Sequence, residues 1–453
     1  MNNRMMVRKA GLCAAALSFA LPVQAAPAPP AALPVDDMTA YVVQPRDTLF
    51  ALARRYMVSL AALTPVRQVN NIANPRRLRP GTTLAIPSAL LRAQPLAAQV
   101  EAVSGIANLK DSAGLPARAL VKGADVAEGA ILQTQANSFV TLRFTDGSRV
   151  SLPSNSIVRM LSARRITLDD ANHRRFEVVS GRIGFEVTPA TNRGDRFEVR
   201  TPMAVSAVRG TEFRVGFLAE RQISTLEVLD GSVAESGIDR AASVAVGAGF
   251  AARRAEGAAA STLVALLPAP DLANPGRVQS DPEAMFAIDR PKPNHAYRFL
   301  LARDSGFIDS FAETTASDGK ASFGEVPNGT FFVRATAIDE NGIEGRPVNY
   351  SFDRQRSGLA ASASAPAANG PKQYVFKWQG SGEGQLTYRF VLARNAGMTD
   401  AIVDEAGLTA NGLSLTALTP GTYYWQVSMV QSVGGKSYRR SLPVNELRIA
   451  PPQ

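Results

Sequence analysis

A glycine recurring at the hinge of a repeated strand pattern limits this chain to a β-rich core more firmly than any other stretch does. Glu177-Val178-Val179-Ser180-Gly181-Arg182-Ile183 returns as Glu227-Val228-Leu229-Asp230-Gly231-Ser232-Val233, with an upstream relative in Glu101-Ala102-Val103-Ser104-Gly105-Ile106. Between the two full copies, residues 197–202 and 208–215 alternate apolar with polar side chains, as half-buried strands do. Glycine takes positive φ without steric cost, so each copy reads as strand, tight bend, strand. Such units stack and cover one another's apolar edges, which predicts a solenoid-like β core.

The flanking residues extend this pattern into a known family. A turn at residues 123–125, the run Leu132-Gln133-Thr134-Gln135-Ala136-Asn137-Ser138, the segment Val140-Thr141-Leu142-Arg143-Phe144-Thr145-Asp146-Gly147-Ser148, and Val208-Arg209-Gly210-Thr211-Glu212-Phe213 together resemble the FecR domain. In the founding members this domain is the periplasmic part of a transmembrane signalling protein that answers iron-siderophore uptake and controls a sigma factor. The resemblance implies a FecR-like domain over residues 100–236. Within it, Asp146-Gly147 between apolar runs signals a hairpin. Arg143, Arg149, Arg164, Arg165, Arg174 and Arg175 are its possible surface contacts, or simply its solvated face.

At the start, Arg4, Arg8 and Lys9 precede a short apolar run and small residues at 23–25, the three parts of a secretory leader. Residues 1–25 are therefore expected to be removed, leaving residues 26–38 as an Ala/Pro-rich tether. The single cysteine, Cys13, falls inside the leader. A mature chain without thiols suits an oxidising compartment. No later apolar run approaches the length of a membrane span, so the expected location is the periplasm, outer-membrane associated or extracellular sites being the alternatives. A formal charge of +10 favours anionic partners in general, but no dense basic block interleaved with aromatics points to nucleic acid.

Residues 39–88 read as strand, helix, helix, strand. Leu49, Leu52, Ala53 and Tyr56 share one face of the first helix. Asp47-Thr48-Leu49, Ala53-Arg54-Arg55-Tyr56, Val69-Asn70-Asn71-Ile72 and the run from Leu78-Arg79-Pro80-Gly81 to Ile86-Pro87 resemble a LysM domain, which binds N-acetylglucosamine polymers such as peptidoglycan. The resemblance implies a glycan groove with Asp47, Thr48, Leu49 and Phe50 facing Ile72, Leu78, Arg79 and Pro80. Asp47 or Thr48 as a helix cap, with Leu49, Ile72 and Leu78 as core, is the structural reading of the same residues, and both can hold at once. Arg46 stands where the family usually has glycine, and Thr64-Pro65 fall in an apparent insertion between the helices.

A second repeat lies toward the C-terminus. Tyr297-Arg298-Phe299-Leu300-Leu301-Ala302-Arg303-Asp304 returns as Tyr388-Arg389-Phe390-Val391-Leu392-Ala393-Arg394-Asn395, and Pro327-Asn328-Gly329-Thr330-Phe331-Phe332 as Thr419-Pro420-Gly421-Thr422-Tyr423-Tyr424. Alternating strands with an aromatic strand after each Pro/Gly turn predict two β-sandwiches, residues 265–355 and 371–453, which resemble fibronectin type III or immunoglobulin-like repeats. Residues 237–264 are expected to be a small-residue connector and residues 356–370 a linker. Trp378, Tyr424 and Trp425 are core candidates before they are a sugar-stacking platform.

The expected architecture is mainly β and multidomain: a small βααβ LysM-like domain, a stacked-β FecR domain and two C-terminal sandwiches. Catalysis finds no support. His173 and His295 have no evident partners, and metalloprotease, nucleophile-elbow and phosphate-loop motifs are absent, so no cofactor or metal is expected. The sequence thus points to a non-enzymatic envelope protein that holds peptidoglycan and presents a FecR-like interaction or sensing platform. Alternatives are a periplasmic regulator acting with a separate membrane partner or TonB-type receptor, and an exported carbohydrate-binding adhesin.

Overall fold

The computed structural model describes residues 38–111, 116–240, 242–366, 373–416 and 418–451. The leader, Cys13 and nearly all of the tether lie outside these residues. The chain divides into two compact units, residues 1–90 and 91–453. Among the described residues no helix is long and apolar enough to cross a membrane, and no group of three or more His, Cys, Asp or Glu side chains is placed to hold a metal ion.

In the first unit, β1 (Met38–Val42) pairs antiparallel with β2 (Thr83–Pro87). Helices α1 (Leu49–Tyr56) and α2 (Leu63–Val69) lie between them in sequence, completing the βααβ order. Thr48 caps α1, its hydroxyl accepting from the Ala51 N–H at 3.1 Å, a cap contributing about 1 kcal/mol. Leu49, Leu52 and Ala53 are buried as their spacing predicts, together with Met57, Val66, Leu84 and Ile86. The Asn70 side chain imitates a strand: its Oδ1 accepts from Ala85 N–H at 2.7 Å and its Nδ2 donates to the Ala85 and Val66 carbonyls, both at 2.8 Å. One amide therefore ties α2 to β2. Thr64 and Pro65, expected between the helices, instead lie in the first turn of α2, where a proline costs no helical hydrogen bond.

Arg46 has φ +74°, the left-handed conformation its glycine-like position demands. An L-residue there costs about 1–2 kcal/mol. Arg46→Gly is accordingly expected to stabilise residues 38–90 by about 0.5–1 kcal/mol, the glycine's own entropy offsetting part of the gain. Urea unfolding monitored on this unit measures it, and an unchanged or lowered midpoint would show that Arg46 makes compensating contacts.

In the second unit, strands from Ala93–Pro95 to Thr262–Ala265 form a closed barrel. The barrel has two faces, and successive segments alternate between them. On one face Ala98–Ser104, Phe139–Arg143, Arg149–Leu152, residues 181–186, Glu212–Leu218, Ile223–Asp230 and Phe250–Ala255 are hydrogen-bonded in that order. On the other, Ala107–Lys110, Ile131–Thr134, Ile157–Ile166, residues 172–180, Arg196–Arg200, Ala204–Val208, Ser232–Gly237 and Ser243–Gly247 follow one another.

The repeated glycines are where the chain changes face. Gly105, Gly181 and Gly231 have φ of +74°, +82° and +81°. Each abuts a second corner: a Cβ on Gly105 would lie 2.5 Å from Asn137 O, one on Gly181 2.5 Å from Asn155 O, and one on Gly231 2.5 Å from Thr211 Cγ2. Two of these corners share a serine clasp, in which Ser138 Oγ accepts from Ile106 N–H at 2.8 Å and Ser156 Oγ from Arg182 N–H at 3.1 Å. Side chains between the faces form one core, centred on Phe176, Phe185, Phe197 and Phe213, with Phe185 and Phe213 stacked at 4.8 Å. Each such ring pair adds about 0.5–1.5 kcal/mol beyond its buried area. The Asp146-Gly147 hairpin forms as expected, with Phe144 N–H donating to Ser148 O at 2.9 Å.

Residues 237–264 are not a connector. Ser243–Gly247, Phe250–Ala255 and Thr262–Ala265 all belong to the barrel, because small side chains still supply full backbone ladders. Three of the possible surface arginines are committed: Arg174 is buried over the Phe144 ring and paired with Asp146 at 2.7 Å, Arg149 pairs with Glu101 at 2.9 Å, and Arg175 with Glu198 at 3.1 Å, while Arg143 and Arg165 are exposed.

Two sandwiches follow. In the first, the sheet Ser310–Ala316, Ala296–Ala302, Gly329–Ile338, Val348–Arg354 shares a core with the pair Ala284–Ala287 and Lys320–Phe323. In the second, the sheet built on Gln385–Ala393 and Gly421–Val433 shares a core with Ser357–Ser364, Gln373–Gly382 and Gly412–Thr416. The repeated sequences occupy matching central strands, Leu301 opposite Val333 in one copy and Leu392 opposite Trp425 in the other. Trp378 and Trp425 are core, and the Trp378 indole donates to Ala410 O at 3.0 Å. Ser357–Ser364, expected within a linker, pairs along its length with Gln373–Gly382; alternate small residues there look like a tether but present an unbroken backbone edge.

Candidate functional sites

The expected glycan-binding residues come from two segments that the fold brings together. Leu49 N–H donates to Pro75 O at 3.0 Å, which joins the first turn of α1 to the 72–80 loop. The loop holds its own shape: Ile72 N–H donates to Arg67 O at 3.0 Å, Arg67 Nε donates back to Ile72 O at 2.9 Å, and Asn74 Oδ1 accepts from Arg76 N–H at 3.0 Å. Its far end is pinned where Gly81 N–H donates to Val43 O at 2.9 Å.

The eight residues do not present themselves equally. Leu49 is wholly buried, so it packs beneath the site. Asp47 is engaged structurally: its Oδ2 accepts from Tyr41 Oη and from Gln44 N–H, both at 2.7 Å. Partial burial, then the bond to Asp47 and its charge, push the Tyr41 hydroxyl up to about 12, so it stays a donor across the physiological range. Thr48 is spent on its cap. Ile72 and Leu78 are half-buried, Arg79 and Pro80 exposed, and Phe50 is 54% exposed. The arrangement offers an exposed aromatic face, two half-buried apolar side chains and a cationic hydrogen-bond donor.

The second site escaped sequence reasoning. It lies within residues 91–453, where the barrel meets the first sandwich. Glu344, 2% exposed, accepts from Thr336 Oγ1 at 2.6 Å and is ringed by Arg182 at 2.9 Å, Arg214 at 3.1 Å and Arg298 at 3.3 Å. Glu227, fully buried, lies 3.8 Å from Arg182 and 3.6 Å from Arg214. Burial alone would raise the Glu344 carboxyl, but Arg214, Arg298 and Arg182 outweigh it and hold it well below the usual carboxylate range. For Glu227 burial prevails over the pull of Arg182 and Arg214, and its carboxyl is raised. Backbone contacts complete the junction: Arg214 Nη2 donates to the Glu344 and Gly345 carbonyls at 2.7 Å, Thr141 Oγ1 to Ile308 O at 2.7 Å, and Glu313 N–H to Asn137 Oδ1 at 3.1 Å. The barrel therefore presents one face inward to the sandwich. The repeat shows what this recruitment changes: Arg389, the counterpart of Arg298, pairs with Asp404 in the solvent at 2.6 Å.

Residues 41–87 match the LysM domain family, and residues 130–234 match the FecR protein family. No curated protein matches the chain. Similar solved structures include a candidate anti-sigma factor from Parabacteroides distasonis, 19% identical, covering 30% of this chain and 59% of that one at a TM-score of 0.25. This chain thus spans less than two thirds of that protein's length. A two-domain fibronectin type III segment of chicken tenascin is 15% identical, covering 40% and 98% at a TM-score of 0.20. The fibronectin(III)-like modules of Clostridium thermocellum CbhA are 11% identical, covering 40% and 88% at 0.18. At these scores neither kind of likeness bears on function. The two family matches do bear on it: this chain carries a LysM domain over residues 41–87 and a FecR domain over residues 130–234.

Proposed function

We propose that the protein is a non-enzymatic, exported component of a bacterial envelope that binds peptidoglycan through residues 41–87 and presents its FecR domain as an interaction or sensing platform. The observation that supports this reading is the LysM family match over residues 41–87, together with the Leu49 N–H to Pro75 O bond that joins the start of α1, where Phe50 lies exposed, to the 72–80 loop. Within the eight expected residues, Phe50, Ile72, Leu78, Arg79 and Pro80 would touch glycan, while Asp47, Thr48 and Leu49 would hold their shape. The leader-like residues 1–25 support export to the periplasm. The FecR match favours a compatible second reading, a regulator acting through a separate membrane partner or receptor, in which the barrel face away from the first sandwich meets that partner.

Titration with a chitin oligosaccharide tests the glycan reading. Phe50→Ala is expected to weaken binding about tenfold, the loss of one exposed aromatic contact of about 1–1.5 kcal/mol, without lowering the melting temperature, since the ring is exposed. Binding unaffected by Phe50→Ala would place the glycan elsewhere.

A further inference from the structure

A cavity of about 160 Å³ opens beside the buried glutamate, lined by both the barrel and the first sandwich. That is close to the roughly 150 Å³ that holds a benzene-sized ligand. Its apolar wall includes Phe185, Phe213, Leu300 and Phe307. Most of its charges are mutually satisfied: Arg182, Arg214 and Arg298 share Glu344, and Arg149 lies 2.9 Å from Glu101 and 3.6 Å from Glu186.

Two charges are not. Arg334 lines the cavity with only a 3.0 Å bond from its Nε to Asn349 Oδ1 and the Phe307 ring 4.1 Å from its guanidinium carbon. Among the described residues no carboxylate comes within ion-pair distance of it. Burial, and then the like charges of Arg214 and Arg298, push it down to about 10, against the opposing pull of Glu212 and Glu344. Glu212 lines the same cavity, is exposed, and also has no ion-pair partner among the described residues. It sits directly opposite Glu186 in the strand register, and Arg149, which Glu186 shares with Glu101, leaves these neighbouring carboxylates with less positive than negative charge.

The cavity thus offers an unpaired cation, an apolar wall and a carboxylate pair short of positive charge. A simple anion would satisfy Arg334 and aggravate Glu212; a simple amine would do the reverse. We propose that this cavity binds a small zwitterion, an α-amino acid with an apolar side chain or the end of a short peptide, its carboxylate on Arg334, its ammonium between Glu186 and Glu212, and its side chain on Phe307 and Leu300. Planar guanidinium matches carboxylate through paired N–H donors, and a site built for both charges rejects analogues that lack either. The proposal is independent of glycan binding by residues 41–87.

The test is calorimetric titration of the full mature chain with L-leucine, L-phenylalanine and the dipeptide leucyl-leucine, alongside 4-methylpentanoate and isopentylamine, which each carry one charge. At least one zwitterion should bind saturably, and both single-charge analogues at least about tenfold more weakly. Free amino acid binding better than dipeptide, or the reverse, identifies the source. Arg334→Gln and Glu212→Gln should each weaken the zwitterion at least about tenfold; Glu212 is exposed, so that variant tests the site even if loss of Arg334 perturbs folding. Absence of saturable binding by all three zwitterions overturns the proposal. So does 4-methylpentanoate binding as tightly as leucine with no effect of Glu212→Gln, which would make the cavity a plain anion site.

Discussion

Glu344→Ala is expected to destabilise residues 91–453 by about 3–5 kcal/mol, seen in calorimetry as a melting transition lowered by about 4–7 °C. Removing one member of a buried ion cluster leaves its partners charged and dry, and here three arginines within 3.3 Å would lose the same carboxylate. Glu227 remains, but its nearest guanidinium nitrogen is 3.6 Å away and its own burial already disfavours its charge. Asp404→Ala is the control. It removes the pair from Arg389, the repeat counterpart of Arg298, in solvent, where water screens the attraction and such pairs contribute little. Equal small effects of the two substitutions would show that water reaches the junction and that barrel and sandwich do not act as one body.

Gly181→Ala should cost about 2–4 kcal/mol. Two independent penalties combine: an L-residue at φ +82°, about 1–2 kcal/mol, and a methyl group 2.5 Å from the Asn155 carbonyl oxygen and 2.7 Å from Ser156 Cα, which forces the two corners apart. The obstacle is backbone, so no side-chain rotation relieves it. Parting the corners also stretches the Ser156 Oγ bond to Arg182 N–H and displaces Arg182 from Glu344, so the same substitution loosens the junction. Gly247→Ala, at a site with open space around the would-be Cβ, should change the urea midpoint little. A midpoint for Gly181→Ala equal to that of the parent protein would contradict the corner-to-corner packing.

Much of this architecture was legible because its rules are local. A glycine that must take positive φ, an apolar side chain at every second position and a threonine before an amphipathic turn each report their backbone directly. Hence the strand corners at Gly105, Gly181 and Gly231, the α1 face of Leu49, Leu52 and Ala53, and the paired strands of the C-terminal repeat were all readable from sequence. Strands built from small residues were less so: Ser243–Gly247 and Ser357–Ser364 carry backbone ladders that composition disguises as linker. The junction was invisible for a different reason. Arg182, Arg214 and Arg298 occupy the polar positions of alternating strands, which pattern alone assigns to solvent, and only the docking of a second domain turns that face inward. Glu227 and Glu177 hold the same place in two copies, yet one is fully buried and the other half-buried beside Arg159, a difference the identical residues do not announce. In the proposed glycan site, the residues named from sequence lie in two segments that the Leu49–Pro75 bond joins, but sequence could not show that Asp47 and Thr48 spend their oxygens on Tyr41, Gln44 and Ala51.

Co-sedimentation with purified peptidoglycan sacculi is the most direct test of envelope anchoring. The mature chain, from residue 26 onward, is compared with a version lacking residues 41–88, at low and at roughly 0.15 M salt, where exposed charges are screened beyond about 8 Å. Pelleting that survives the salt and disappears with the deletion is the predicted outcome. Equal pelleting of both proteins, released by salt, would instead assign attachment to basic surface charge, and no pelleting of either would contradict glycan anchoring outright.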